Sequence, residues 1–213
     1  MYQKIKVTGT IATYPEIISE KNGHSLLRMY IDVVRSSKTV DRLPVTFTSN
    51  SEVCRLLADI EKNNQDIVGL SVLITGEVVS YDSYVASEHR LNIYVLAHRI
   101  KQIDARDVDI NEVRLKGIIA KLLEPRVILN GGTLLSGITA IYSGKKSRYI
   151  PTLYWNNVAK RVNESLKVGD SVSLIGRLQA REYIKRIGTD AEGRDITENR
   201  TVYEVSVFGM KNE

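Results

Sequence analysis

The sequence predicts an all-β protein built from two copies of one five-stranded module. Three observations carry that prediction. Apolar and polar residues alternate along much of the chain, the period of a half-buried strand. Three short stretches, the last matching at two glycines, recur in the same order along the 213 residues. Once in each copy the period switches to that of a single helical face.

The motifs fix the repeat. Lys6-Val7-Thr8-Gly9 resembles Arg114-Leu115-Lys116-Gly117, at an offset of 108. Leu43-Pro44-Val45-Thr46-Phe47 resembles Ile150-Pro151-Thr152-Leu153-Tyr154, at 107. Val68–Gly76 resembles Val168–Gly176 at 100, through both of its glycines. The first module is expected over residues 1–105 and the second over 110–213, with a boundary near Ala105–Ile110.

Each copy opens with a strand that carries an interior glycine (Ile5–Thr13; Val113–Lys121). A polar turn follows, marked by Asn22-Gly23 in one copy and Asn130-Gly131-Gly132 in the other. The second strand is rich in β-branched residues (Leu26–Arg35; Leu134–Tyr142), and the third carries the proline (Arg42–Thr48; Arg148–Trp155). Val53, Leu56, Leu57 and Ile60 then lie on one helical face, as do Val158, Val162 and Leu166. Ser51 and Asn156 or Asn157 are the expected N-caps. A fourth strand runs through the second glycine (Val72–Ser80; Val172–Tyr183), and a fifth alternates (Leu91–Ile100; Val202–Met210). Glycines inside strands suit sharp bends at barrel corners. A partly open five-stranded barrel with one short helix between strands 3 and 4 is an OB-fold, so the expected architecture is two tandem OB-folds.

Composition narrows the function. No stretch approaches the roughly 18 apolar residues of a membrane span, and the N-terminus enters strand alternation with no signal-peptide core, so a cytoplasmic protein is expected. The one cysteine, Cys54, makes no internal disulfide and no zinc knuckle, and it sits in an apolar helical stretch that predicts burial. His24, His89 and His98 lack metal-ligand spacing, so no metal or cofactor is expected. Gly132–Thr139 nearly matches a phosphate-binding loop, but Ile138 stands where lysine must reach the phosphates. Asp32, Asp41 and Asp82 have no spacing that favours a nuclease site, and no enzyme is expected. Residues 1–108 carry 13 basic and 13 acidic residues, and residues 109–213 carry 17 and 12, so the whole net charge of +5 lies in the second half. A polyanion would prefer that half.

The stretches Tyr149–Lys160, Leu166–Val172 and Leu174–Tyr183 are similar to bacterial single-stranded DNA-binding proteins. In that family an aromatic-bearing third strand leads into a Leu/Ala helix. A Lys-x-Gly turn then opens a fourth strand that closes on Gly-Arg-Leu-x-x-Arg and an aromatic. The resemblance covers about 100 residues of the second copy, one OB module in length, and the first copy resembles the family more weakly. It implies that Tyr149, Trp155 and Tyr183 are base-stacking platforms and that Arg181 is a basic contact. It also implies a usual assembly of four OB-folds, which a homodimer of this chain would supply. The family's acidic, phenylalanine-tipped tail has no counterpart after Phe208–Glu213, so recruitment of partners by that route is not expected.

The residues themselves support the same chemistry. Single-strand binders need flat rings for bases and cations for the phosphates between them, and stacking contributes about 1–3 kcal/mol per base. Tyr149 and Trp155 are six residues apart, which puts them on one strand face, with Ile150, Thr152 and Tyr154 turned into the barrel. Lys145, Lys146 and Arg148 fill the turn before them, and Arg181, Lys185 and Arg186 flank Tyr183. The polar segment Arg186–Arg200 is expected to be a flexible loop between strands four and five. About five neutralised phosphates would give log K a slope near −3.5 against log salt. In the first copy Arg42 and Thr48 replace Tyr149 and Trp155, and Ser83 replaces Tyr183 beside Tyr81 and Tyr84. That copy, with Tyr94 on its fifth strand and Arg28, Arg35, Lys38 and Arg42 as its cations, is expected to bind more weakly. The alternatives are a primosome-type or RNA-binding OB protein, and a protein-interaction scaffold with no nucleic-acid ligand.

Overall fold

The computed structural model describes residues 1–85, 88–129, 131–143, 146–190 and 192–212; within these, the side chains of Val85, Ser143, Lys146 and Asn212 are not described. The first module contains β1 (Tyr2–Ile11), β2 (Glu16–Lys21), β3 (His24–Val34), β4 (Val40–Thr48), α1 (Glu52–Lys62), β5 (Ser71–Val85) and β6 (Glu88–Gln102). The second contains β7 (Asn111–Leu122), β8 (Arg126–Val127), β9 (Thr133–Ser143), β10 (Lys146–Trp155), α2 (Asn156–Ser165), β11 (Ser171–Thr189) and β12 (Asp195–Asn212).

Each module closes on itself. In the first, β1 pairs with both β3 and β5, and a parallel β4–β6 contact completes the ring. In the second, β7 pairs with β9 and β11, and parallel β10–β12 completes it. The tandem OB-fold expected from the repeat is therefore the fold. Alternation sends Ile5, Val7, Ile31, Val45, Ile74 and Val95 into the first interior and Leu115, Ile141, Ile150, Tyr154, Leu174 and Val205 into the second.

Two glycines show why the strands can bend so tightly. A Cβ on Gly76 would lie 2.0 Å from the Leu96 carbonyl oxygen, and one on the equivalent Gly176 would lie 2.4 Å from that of Ser206. Register shifts fall at both sites, between Thr75 and Gly76 and between Ile175 and Gly176. Only a residue without a side chain lets the neighbouring backbone come this close.

Helix α1 starts as expected: the Ser51 hydroxyl accepts the Cys54 backbone N–H, and Val53 and Leu57 are buried. Cys54 is half-buried against the core. Helix α2 departs from expectation. Trp155 occupies the cap position with no side-chain cap, while Asn156 Oδ1 accepts the Thr133 backbone N–H at 3.0 Å. Asn156, at φ +48°, spends its side chain on tying the helix start to β9.

Three features exceed the sequence reading. The polar stretch after each first strand contains a short strand, β2 or β8, at the two outer edges of the sheet. The segment expected to be a flexible loop is instead the far end of a long β11–β12 hairpin, paired out to Thr189↔Asp195. Its tip is held by Asp190, whose carboxylate accepts the backbone N–H groups of Glu192 and Arg194. Finally, the modules are joined strand to strand. β1 and β7 pair antiparallel from Tyr2↔Lys116 to Val7↔Asn111.

Candidate nucleic-acid interface

Strand β10 presents the outward row that alternation requires. Ile150, Thr152 and Tyr154 are fully buried, while Tyr149 is exposed and Trp155 half-buried. Burial raises the Tyr154 phenol pKa, with the Thr152 and Thr139 hydroxyls opposing the shift. Tyr149 as a whole residue is 44% exposed. Its backbone N–H donates to Ser80 Oγ of the first module at 3.0 Å, which fixes the start of β10 against β5. The Trp155 indole N–H donates to Ser206 Oγ on β12 at 3.1 Å, so the ring is oriented rather than loose.

Tyr183 lies two strands away on β11, half-buried, with the Arg181 guanidinium 5.8 Å from its ring centroid. A groove of about 470 Å³ runs past both, lined also by Pro151 of β10, Tyr203 of β12 and the Glu88–Asn92 segment of the first module. Pro151 and the buried Leu153 occupy the two positions between Tyr149 and Trp155 on that side of β10, and through Pro151 the groove borders the row. Tyr149 and Trp155 themselves do not line it.

The expected cations are present but are not free. Arg148 donates to Glu77 of the first module at 3.2 Å, and Arg181 Nε to Glu204 at 2.8 Å. Lys185 pairs with Glu88, and Arg186 with Asp195 at 2.8 Å. Lys145 and the Lys146 side chain lie outside the described residues. Arg200, which the sequence reading passed over, is nearly buried and clamps Glu88 and Glu198. Glu198 is held below the usual carboxylate range, chiefly by its hydrogen bond from Arg200.

Asp32, Asp41 and Asp82 lie in three separate pairs. Asp32 is taken by Arg42 and Asp41 by Arg35, and Asp82 meets His89 at 2.6 Å. Among the described residues no group of three His, Cys, Asp or Glu side chains is arranged to hold a metal ion.

Sequence reasoning missed the acidic partners and the way the first module reaches the second. Arg148, Glu77, Tyr149 and Ser80 form one contact between β10 and β5. Asp41 accepts the Ala180 backbone N–H at 2.8 Å in the matching contact between β4 and β11. The motif offsets could have revealed this, because Asp41 aligns with Arg148 and Glu77 with Arg177.

The fold has solved counterparts. The wild-type single-stranded DNA binding protein from Thermus aquaticus aligns over 99% of this chain and 92% of its own, at 15% identity and a TM-score of 0.74. A deletion mutant of the same protein aligns over 99% and 94%, at 16% identity and a TM-score of 0.71. The two share one fold with this chain. No protein-family model and no curated protein matches the sequence. At such low identity the likeness concerns the arrangement of both modules, not individual side chains. Among the described residues no helix is long and apolar enough to cross a membrane.

Proposed function

We propose that this chain binds single-stranded DNA without sequence preference and shields it during replication, recombination or repair. The observation that carries the reading is the outward row of β10, where Tyr149 and Trp155 share the exterior face of a closed barrel. Tyr183 and Arg181 extend that face along β11. Rings on a barrel exterior, interleaved with cations, stack bases of any sequence. The whole-chain likeness to a protein named for binding single-stranded DNA supports the same reading.

In this reading the second module, residues 110–213, is the main binding unit, and the first, residues 1–105, extends the path. Tyr149, Trp155 and Tyr183 take bases. Lys145, Lys146, Arg148, Arg181, Lys185 and Arg186 take phosphates, after exchanging a carboxylate for a phosphate where they are ion-paired. Two chains associate to bring four modules together, a state that sedimentation would read. No cofactor and no catalytic step is involved.

Trp155 is the only tryptophan and serves as its own probe. The test titrates the protein with oligo-dT of about 35 nucleotides, enough for two modules at up to about 16 each, at several salt concentrations. Quenching that weakens with salt, with duplex competing poorly, is the expected result. No fluorescence change and no competition by any nucleic acid would overturn the reading and leave a protein scaffold. Preference for oligo-rU over oligo-dT would move it to RNA.

A further inference from the structure

Of the described cations named above for the two binding faces, Arg28 and Lys38 have no carboxylate, and the exposed Lys38 ammonium donates to the Asp107 backbone carbonyl. Arg35, Arg42, Arg148, Arg181, Lys185 and Arg186 each pair with an acid. Among the described residues Arg28 on β3 forms no ion pair. Its guanidinium Nη2 donates to the Tyr81 hydroxyl at 3.4 Å, and its Nε is buried without a hydrogen-bond partner. Tyr30, two residues along the same strand face, offers a second hydroxyl. Tyr94 and Tyr203 lie within electrostatic reach, and Tyr203 comes from the other module. Tyr81 and Tyr94 meet edge to face with ring centroids 5.7 Å apart, and Arg148 of the second module lies near Tyr94.

The seam between the modules is therefore floored by tyrosines from both, around one half-buried guanidinium. A partly desolvated cation without a counter-charge is costly to keep, and an arriving anion would offset that cost. Tyrosine hydroxyls satisfy some of its N–H groups without cancelling its charge, which leaves the site selective for an anion. The exposed Tyr81 ring offers an adjoining surface for a base.

We propose that Arg28 holds a backbone phosphate of single-stranded nucleic acid at the seam between the modules, with a neighbouring base against Tyr81. The inference rests on the single-strand-binding reading and adds to it the point at which the strand passes from the second module to the first. It also revises the weak role expected of the first module: its contribution is one phosphate subsite and one ring beside it.

Two measurements on the full chain test this. The first follows binding of labelled oligo-dT against salt for wild type, Arg28→Gln and Arg28→Lys. Losing one phosphate contact should make the log–log salt slope shallower by about 0.7 for Arg28→Gln. Its affinity should fall several-fold, and Arg28→Lys should retain the wild-type slope. A slope unchanged in Arg28→Gln overturns the phosphate contact, whether or not affinity falls. The second needs no variant. Bromodeoxyuridine-substituted oligo-dT is photo-crosslinked to the wild-type chain and the modified peptides are mapped. Adducts on the peptide bearing Tyr81 or Tyr94 are expected, and adducts confined to the peptides of Tyr149, Trp155 and Tyr183 overturn the seam site while leaving the main reading intact. Absence of all adducts together with absence of Trp155 quenching overturns both.

Discussion

Arg148 of the second module donates to Glu77 of the first at 3.2 Å, and the repeat places Asp41 and Arg177 at the equivalent positions with the signs exchanged. Arg177 lies within electrostatic reach of Asp41. Burial lowers its pKa, Arg35 adds to that, and Asp41 opposes it. Two first modules docked in this geometry would set Asp41 against Glu77. Two second modules would set Arg148 against Arg177. The exchanged signs favour the unlike pairing over either like pairing, a specificity device of the kind that acts by penalising the wrong partner.

Reversing one member of the pair should therefore cost more than removing it. Arg148→Glu puts two carboxylates together and is expected to lower stability by about 1 kcal/mol in urea unfolding, since partly exposed pairs contribute at most about that much. Glu77→Arg should cost a similar amount. The double exchange should recover most of the loss, and an additive double mutant would show that the pair does not couple.

Gly76→Ala and Gly176→Ala should both destabilise strongly, because each new Cβ meets a backbone carbonyl oxygen at 2.0 or 2.4 Å. Forced backbone shifts of this kind cost about 1–3 kcal/mol. Gly23→Ala is the control: its φ of +75° is unfavourable to a side chain, yet nothing lies within 4 Å of the added atom. Thermal unfolding of the three should rank Gly23→Ala as the mildest.

Ser206→Ala removes the acceptor of the Trp155 indole N–H. The expected loss is about 1 kcal/mol of stability, with a shift in the Trp155 emission maximum as the ring loses its fixed orientation. Affinity for oligo-dT should fall less than in Trp155→Ala, which removes the ring itself and its stacking of about 1–3 kcal/mol. Equal losses in the two variants would mean that the ring's orientation matters as much as its presence.

The hairpin tip should respond to acid. The Asp190 carboxyl is held below its ordinary value, first by the Arg194 backbone N–H, although burial opposes the shift. A carboxylate with a lowered folded-state value contributes stability above its ordinary range and loses it as pH falls through the lowered value. Amide protection at Glu192 and Arg194, taken relative to intrinsic exchange at each pH, should thus hold at neutral pH and fall below about pH 4. Asp190→Asn should already exchange faster at pH 7 and show no acid step.

The salt dependence of binding should be shallower than a slope near −3.5, the value for about five free cations. Arg148, Arg181, Lys185 and Arg186 are neutralised by Glu77, Glu204, Glu88 and Asp195 in the free chain. A phosphate that displaces a carboxylate leaves that carboxylate to gather counterions, so fewer ions are released overall. Titrations between about 50 and 200 mM salt would measure this.

The fold was legible because its signals are local and repeated. Alternation placed Ile150, Thr152 and Tyr154 in the interior correctly, though Leu153 in the opposite phase is buried too, and Ser51 marked the start of α1. The Arg186–Arg200 segment was misread because charged residues and glycines resemble a loop, while the pairing that makes it a hairpin is satisfied across the two strands. The Asn156 cap failed for a related reason: a capping side chain was diverted to the Thr133 backbone, a contact to β9 that no local pattern encodes. The placement of Tyr149 and Trp155 on one strand was legible from their spacing, and Tyr183 entered through the family resemblance. Their acidic neighbours were not, since Glu77 and Glu88 reach Arg148 and Lys185 only once the modules have docked.

The connection between β6 and β7 is short and fastened. The Asp109 carboxylate accepts from Thr8 Oγ1 and from the Val34 backbone N–H, so the segment that crosses between the modules is itself clamped to the first. Joining two partners through so brief a tether turns their encounter into a unimolecular event, with an effective concentration on the order of millimolar. The pairing of β1 with β7 then survives dilution that would separate two independent chains. Freed from the need to find each other, the two halves of the duplicated chain could diverge in charge and in ring content while continuing to act as one body.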